Sequence, residues 1–179
     1  MTQIANAYAQ GLYALASEEN LTKQILDQLN VLEKTVGQEQ EYLRLLSTPA
    51  LSKEERCQIL DRAFRDKVHI YVLNFMKLLT EKGYIRHFSQ CCRAYRQQYN
   101  DEHGILPVRA VSAVALTPEQ CERLSKKLEK LTGKTVCLEN CVDERVLGGV
   151  RLDYDGMRID GTVKNRLDSV RKLLENTVL

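Results

Sequence analysis

Residues 104–120 read Gly104-Ile-Leu-Pro-Val-Arg-Ala-Val-Ser-Ala-Val-Ala-Leu-Thr-Pro-Glu-Gln120, and the change of texture within them decides the fold class. Val108 to Leu116 is β-prone. Thr117-Pro-Glu-Gln120 is a helix start: Thr caps, Pro takes the first turn where its missing N–H is not needed, and Gln closes the capping box. Before Gly104, apolar residues recur at helical spacing and the only proline is Pro49. After it, period-two runs alternate with helical ones. The expectation is an α+β chain: a six-helix bundle over residues 1–104, then a small mixed α/β domain over residues 105–179.

Working back from Gly104, the sixth helix sets Ile85, Phe88, Cys92, Tyr95 and Tyr99 along one stripe. The fifth covers Val68 to Lys82 and ends at Gly83, a residue suited to a left-handed cap. Ser52-Lys-Glu-Glu55 opens the fourth with a capping box. A short third helix carries Leu43 and Leu46, and the second uses Leu21, Ile25, Leu29, Leu32 and Val36. The first runs from Ile4 to Ser17. Short connections between such helices favour a bundle.

Working forward, Cys121, Leu124, Leu128 and Leu131 give the helix after Thr117 one apolar face, and Gly133 ends it. Val136, Leu138, Asn140 and Val142 alternate with Cys137, Glu139 and Cys141, as in a strand with two unlike faces. Val150, Leu152 and Tyr154 form another strand; Asp155-Gly156 is a hairpin signal, and Met157 and Ile159 lie on the return. Val163, Leu167, Val170, Leu174 and Val178 complete an amphipathic helix.

Composition narrows the function. The chain has 179 residues with 26 basic and 24 acidic side chains, for a net charge of +2. That gives no electrostatic case for nucleic-acid binding. No apolar run approaches the roughly 20 residues that span a bilayer. The opening Met1-Thr-Gln-Ile4 lacks the basic start of a signal peptide, so a soluble cytoplasmic chain is expected, with its six cysteines as free thiols. Gly133-Lys134-Thr135 resembles the end of a phosphate loop, but Leu128 stands where the loop needs Gly, and the order is helix then strand. Cys91-Cys92, Cys137/Cys141 and His87 lack the paired spacing of a zinc site, so no metal is expected. No nucleophile elbow, His-Glu-x-x-His or dinucleotide fingerprint is present, and neither catalysis nor a cofactor is expected.

Two helices carry too much apolar surface for one buried stripe. In Ile4–Ala16 only Asn6 and Gln10 are polar, one turn apart. In Val68–Leu79, Ile70, Tyr71, Val72, Leu73, Phe75, Met76, Leu78 and Leu79 leave Asn74 and Lys77 on one strip. Either both helices are central and wrapped by the other four, or they line a groove for a partner helix. Gly11 inclines toward the groove: inside a helix it costs about 1 kcal/mol against Ala, and close approach of a second backbone is one reason to keep it.

These residues bring a resemblance into view. Ala5-x-x-Tyr8-Ala9-x-Gly11-Leu12 resembles the opening helix of the delta subunits of bacterial F-type ATP synthases, whose mitochondrial counterpart is the oligomycin-sensitivity-conferring protein. Leu79-Thr-Glu-Lys-Gly83, Val111-Ser-Ala113, Leu116-Thr-Pro-Glu-Gln120, Thr132-Gly-Lys-Thr-Val136, Val142-Asp143 and Leu147-Gly-Gly-Val150 agree in order, and Ile159-Asp-Gly-Thr-Val-Lys-Asn-Arg-Leu167 is the strongest piece. The paired cysteines are not family features. The resemblance implies a non-catalytic stator link, on the cytoplasmic face of the bacterial inner membrane and associated with it only through the complex. The helical domain would grip N-terminal helices of alpha subunits, and the second domain would meet the b subunits of the peripheral stalk. The family's groove lies between its first and fifth helices, which puts Tyr8, Gly11 and Leu78 at groove positions. Helical periodicity adds Leu12, Leu15, Val72 and Phe75. For the stalk, the motif offers Leu147, Gly148, Gly149 and Val150 with Leu167 and Leu174 of the closing helix; Gly148-Gly149 reads equally well as a bulge with no partner role. A reading of another class is a helical adaptor whose segment Val108–Val150 is part of an RNA-binding module. The missing aromatic platform and near-neutral charge argue against it.

Overall fold

The computed structural model describes residues 3–36, 39–48, 51–146, 148–163 and 165. Contacts divide the chain into two compact units, Met1–Tyr99 and Asn100–Leu179. The chain is α+β: helices fill its first part, and a sheet with one crossover helix follows.

The first unit is built from α1 (Gln3–Glu18), α2 (Thr22–Thr35), α3 (Gln40–Ser47), α4 (Lys53–Phe64), α5 (Ile70–Glu81), a 3-10 turn (Ile85–His87) and α6 (Phe88–Glu102), whose last turn passes into the second unit. The capping box at α4 is complete. Ser52 Oγ accepts from the Glu55 N–H at 3.1 Å, and Glu55 Oε2 accepts from the Ser52 N–H at 2.8 Å. The bond from the Ser52 N–H, with the Ser52 hydroxyl beside it, holds the Glu55 carboxyl below its usual range. α5 begins two residues later than the periodicity suggests, because His69 takes the cap: its Nδ1 accepts from the Tyr71 N–H at 3.3 Å.

One hydrophobic cluster draws on every helix of this unit: Ala5, Ala9 and Tyr13 from α1, Ile25 and Leu29 from α2, Leu46 from α3, Leu60 from α4, Leu73 and Met76 from α5, and Phe88 and Tyr95 from α6. The Tyr13 and Tyr95 rings pack with centroids 5.1 Å apart. The Tyr95 hydroxyl donates to the Thr22 carbonyl at 3.1 Å, so the buried phenol is satisfied. Arg96 Nη2 donates to both Asn30 Oδ1 and Glu33 Oε2 at 2.6 Å, clamping α6 to α2. Cys91 and Cys92 are buried here as small apolar side chains. Burial pushes the Cys91 thiol up to about 11, and pushes Cys92 up further.

The second unit contains β1 (Ile105–Ser112), α7 (Pro118–Thr132), β2 (Thr135–Val142), β3 (Val150–Tyr154) and β4 (Met157–Asp160), in the sheet order β2-β1-β3-β4. β1 and β2 are parallel and are joined through α7, the crossover a parallel pair requires. β3 runs antiparallel to both β1 and β4. β1 starts three residues earlier than expected and stops at Ser112 rather than Leu116. It includes Pro107 because β3 pairs only from Arg109 onward, so one side of β1 carries no neighbour at the proline. After Ser112 the chain turns away, and Asn140 Oδ1 accepts from the Leu116 N–H at 2.9 Å.

Leu106, Val108, Ala110 and Leu152 on one sheet face pack with Leu128 and Leu124 of α7. The other face carries a row of alternating charge across four strands, Glu139, Arg109, Asp153 and Arg158 in register. Arg158 Nε donates to Asp153 Oδ1 at 2.7 Å, and this bond above all holds the Asp153 carboxyl below its usual range. Asp155 and Gly156 have φ of 46° and 74°, the double positive value of a type I′ hairpin. The closing helix expected through Leu167, Val170, Leu174 and Val178 lies outside the described residues, apart from Val163 and Asn165 at its start.

Candidate functional site

α1 and α5 lie side by side in opposite directions. Near one end, Tyr71 reaches Glu19; near the other, the Tyr8 ring lies 6.0 Å from Tyr84, just beyond α5. Between them is a cleft of about 500 Å³ lined by Ala7, Tyr8, Gly11, Leu12, Leu15, Tyr71, Asn74, Phe75 and Leu78. Leu12 and Phe75 are buried and form its floor. Leu15 and Leu78 stand on its walls with 49% and 40% of their surface in water. The two helices are therefore not wrapped on all sides: each buries one face in the core and leaves a second apolar face open.

Six of the seven groove residues expected from sequence line this cleft: Tyr8, Gly11, Leu12, Leu15, Phe75 and Leu78. Val72 does not. It is completely buried in the core. On a helix with 3.6 residues per turn, Val72 lies about 120° round from Leu78, whereas Tyr71 and Asn74 lie within about 40° of it. Extrapolation from Leu78 by four and seven residues leads to Asn74 and Tyr71, the two α5 positions that sequence reasoning missed. Ala7 was missed too, being one residue from Tyr8 and small.

Gly11 sits at the middle of the cleft. A Cβ placed on it meets no atom within 4 Å, so the glycine is not required by packing inside the free chain. Its lack of a side chain keeps the α1 backbone open at the centre of an otherwise apolar surface. The polar side-chain groups of the cleft are few: the exposed Asn74 amide, the Tyr8 hydroxyl, and the Tyr71 hydroxyl, which donates to Glu19 Oε1 at 2.6 Å. A surface of this kind suits a helix laid lengthwise by its apolar face.

A larger hollow of about 670 Å³ lies on the charged sheet face, lined by Arg109, Glu139, Asp153 and Arg158 among others. Part of its charge is already engaged: Arg158 Nε lies 2.7 Å from Asp153, Arg151 beside the hollow lies 3.3 Å from the same carboxylate, and Arg109 Nη2 donates to Cys141 Sγ at 3.1 Å. Among the described residues, no group of three or more His, Cys, Asp or Glu side chains is placed to hold a metal, and no helix is long and apolar enough to cross a membrane.

Of the stalk motif, Leu147, Leu167 and Leu174 lie outside the described residues. Gly148, Gly149 and Val150 have a role inside the second unit. Gly149 has φ of 83°, and a Cβ there would sit 2.5 Å from the Gly161 carbonyl oxygen and 2.9 Å from Thr162 Cα. The Val163 N–H donates to the Gly148 carbonyl at 3.0 Å, and the Gly161 N–H to the Val150 carbonyl at 3.1 Å. Two stretches of backbone thus run in contact, as only glycine permits. Asp160 Oδ1 accepts from the Thr162 N–H at 3.0 Å, and Thr162 Oγ1 accepts from the Asn165 N–H at 3.3 Å, so the pinned segment is also a helix start.

The family model for the ATP synthase delta (OSCP) subunit matches residues 4–174. The ATP synthase subunit delta of Clostridioides difficile (strain 630) is 31% identical over 176 residues, covering 98% of this chain and 97% of that protein. The subunit delta of Lactobacillus johnsonii is also 31% identical over 176 residues, covering 97% and 96%. Among solved structures, a chain of the Toxoplasma gondii mitochondrial ATP synthase hexamer shares the fold, with a TM-score of 0.76 at 17% identity over 97% of this chain and 98% of that one. With a family match over almost its whole length and relatives aligned end to end, the chain belongs to the ATP synthase delta (OSCP) subunit family, a non-catalytic stator component of the peripheral stalk of F-type ATP synthases.

Proposed function

We propose that this chain joins the catalytic head to the peripheral stalk by gripping an alpha-subunit N-terminal helix in the α1–α5 cleft. The supporting observation is the cleft itself: an open apolar channel between two helices, with Gly11 at its centre and Leu15 and Leu78 exposed on its walls. Residues 1–104 form the head-binding six-helix bundle in this reading, and residues 105–179 form the stalk-binding domain that meets the b subunits. Gly148 and Gly149 serve the stalk contact indirectly, by pinning the segment from which Leu167 and Leu174 follow. The complex holds the chain at the cytoplasmic face of the bacterial inner membrane. During proton-driven ATP synthesis the tie resists torque from the central stalk, so its requirement is slow dissociation rather than chemistry.

The test is a pull-down of the tagged full chain from an extract of its own cells, scored for alpha, beta and b subunits, with wild type beside Leu15→Asp/Leu78→Asp. Wild type should retain all three. The double variant should lose alpha and beta and keep b. Retention of alpha and beta by a folded double variant would overturn the cleft as the head contact.

A further inference from the structure

The cleft is apolar along its length, but its ends are not alike. Where α1 ends and α5 begins, Glu18 and Glu19 follow Leu15 by three and four residues, continuing the stripe of α1 that lines the cleft. Glu19 accepts the Tyr71 hydroxyl hydrogen bond at 2.6 Å, which places its carboxylate against a lining residue. Both carboxylates act on that phenol and hold it above its ordinary value, the Glu19 hydrogen bond most strongly. Both glutamates are exposed, and neither has an ion-pair partner among the described residues. At the far end the stripe runs out on Ile4, 37% exposed, and on the Tyr8–Tyr84 pair, which carries no charge.

From this asymmetry we infer that the cleft selects an amphipathic helix with a cationic end: an apolar stripe along Ile4, Tyr8, Gly11 and Leu15, followed about one turn later by a Lys or Arg over Glu18 and Glu19. From Ile4 to Leu15 the stripe is about 16 Å long, or three turns of a docked helix at 1.5 Å per residue. A fourth turn reaches the carboxylates. The apolar stripe supplies most of the affinity and is blind to direction, since a helix and its reverse present similar apolar faces. The charge contact fixes which end lies where, and so sets register and polarity. This inference rests on the cleft being the head contact and adds the chemistry of the partner's end.

The experiment titrates the full chain with a synthetic peptide of the first ~25 residues of the cognate alpha subunit, long enough for four turns with flanks. Wild type and Glu18→Gln/Glu19→Gln are compared at low and high salt, along with a peptide whose Lys and Arg are replaced by Gln. Gln at position 19 keeps an acceptor for Tyr71, and melting curves check that the variant folds as wild type does. At low salt the double variant should bind roughly three- to tenfold more weakly, and the gap should close by about 0.5 M salt, as expected for exposed charge pairs. The neutral peptide should bind both proteins equally. If the double variant binds the native peptide as tightly as wild type does at low salt, the inference fails and the cleft reading stands. If wild type itself binds no peptide at either salt, the cleft reading fails and takes the inference with it.

Discussion

Replacing Gly11 separates folding from docking. A Cβ at this position meets nothing within 4 Å, so Gly11→Ala introduces no clash in the free chain. Ala favours a helix interior over Gly by about 1 kcal/mol, which in a unit of this size raises the melting temperature by roughly 4–8 °C. Gly11→Asp is close to neutral in the free chain, because Asp and Gly differ little in helix propensity and the new carboxylate stands in water. In the proposed complex the same carboxylate would be pressed between the Leu12 and Phe75 floor and the apolar face of the partner. An unpaired charge desolvated in this way costs several kcal/mol; about 3 kcal/mol corresponds to a hundredfold loss of affinity. Calorimetric titration with the alpha-subunit N-terminal peptide, paired with thermal melts of each variant, measures both effects. Gly11→Asp binding as tightly as wild type would show that the partner does not pass over Gly11. A fall of more than about 2 kcal/mol in the stability of free Gly11→Asp would show that this face of α1 belongs to the core.

Gly149→Ala should destabilise the second unit by about 2–5 kcal/mol, the sum of a left-handed backbone penalty and overpacking against Gly161 and Thr162; a chemical melt indistinguishable from wild type would contradict the close backbone contact. Leu15→Ala and Val72→Ala should behave oppositely. Val72→Ala should cost about 1–3 kcal/mol of stability, and Leu15→Ala should leave folding unchanged while weakening the peptide complex, as paired melts and titrations would reveal. The buried thiols predict alkaline instability. Folding raises the thiols of Cys91 and Cys92, so their contribution is fully present below the ordinary thiol value of about 8.5 and is lost as pH rises toward the folded value, about 11 for Cys91. Urea melts from pH 8 to 10.5 should show stability falling more steeply for wild type than for Cys91→Ala/Cys92→Ala; equal slopes would refute the assignment. In the native protein at neutral pH, a thiol reagent should modify exposed Cys137 first and leave Cys91 and Cys92 until unfolding.

Local signals in this sequence carried a good part of the architecture. The capping boxes at Ser52 and Thr117 form as their spacing requires, with both reciprocal bonds made. Asp155-Gly156 makes its hairpin, and Gly133 ends α7 in a left-handed conformation with φ of 68°. Each of these is settled within four or five residues, by hydrogen bonds the segment makes with itself, so no distant partner is needed to read it. The excess apolar surface of α1 and α5 was likewise visible as a count of polar positions.

Other features depended on neighbours far away in the chain. Periodicity marks which faces of α5 are apolar, but it gives no sign of which apolar face meets the core and which stays open; the helices packed against it, α1, α2 and α4, decide that, with Val72 turned inward and Tyr71, Asn74 and Leu78 left to the cleft. The start of α5 moved because His69 caps it while its own N–H donates to Gln28 Oε1 at 2.7 Å, a bond spanning 41 residues. The bounds of β1, and the place of Pro107 within it, follow from where β3 begins to pair. The Gly148-Gly149 pair reads in sequence equally as a partner contact or a bulge, and only the fold sets the backbone of Gly161 and Thr162 against it. Sequence by itself determined what each segment can form, because helix periods, caps and tight turns are local energies. Only the tertiary structure decided which apolar surfaces were consumed by folding and which were left open, because burial is shared between residues the chain brings together from afar.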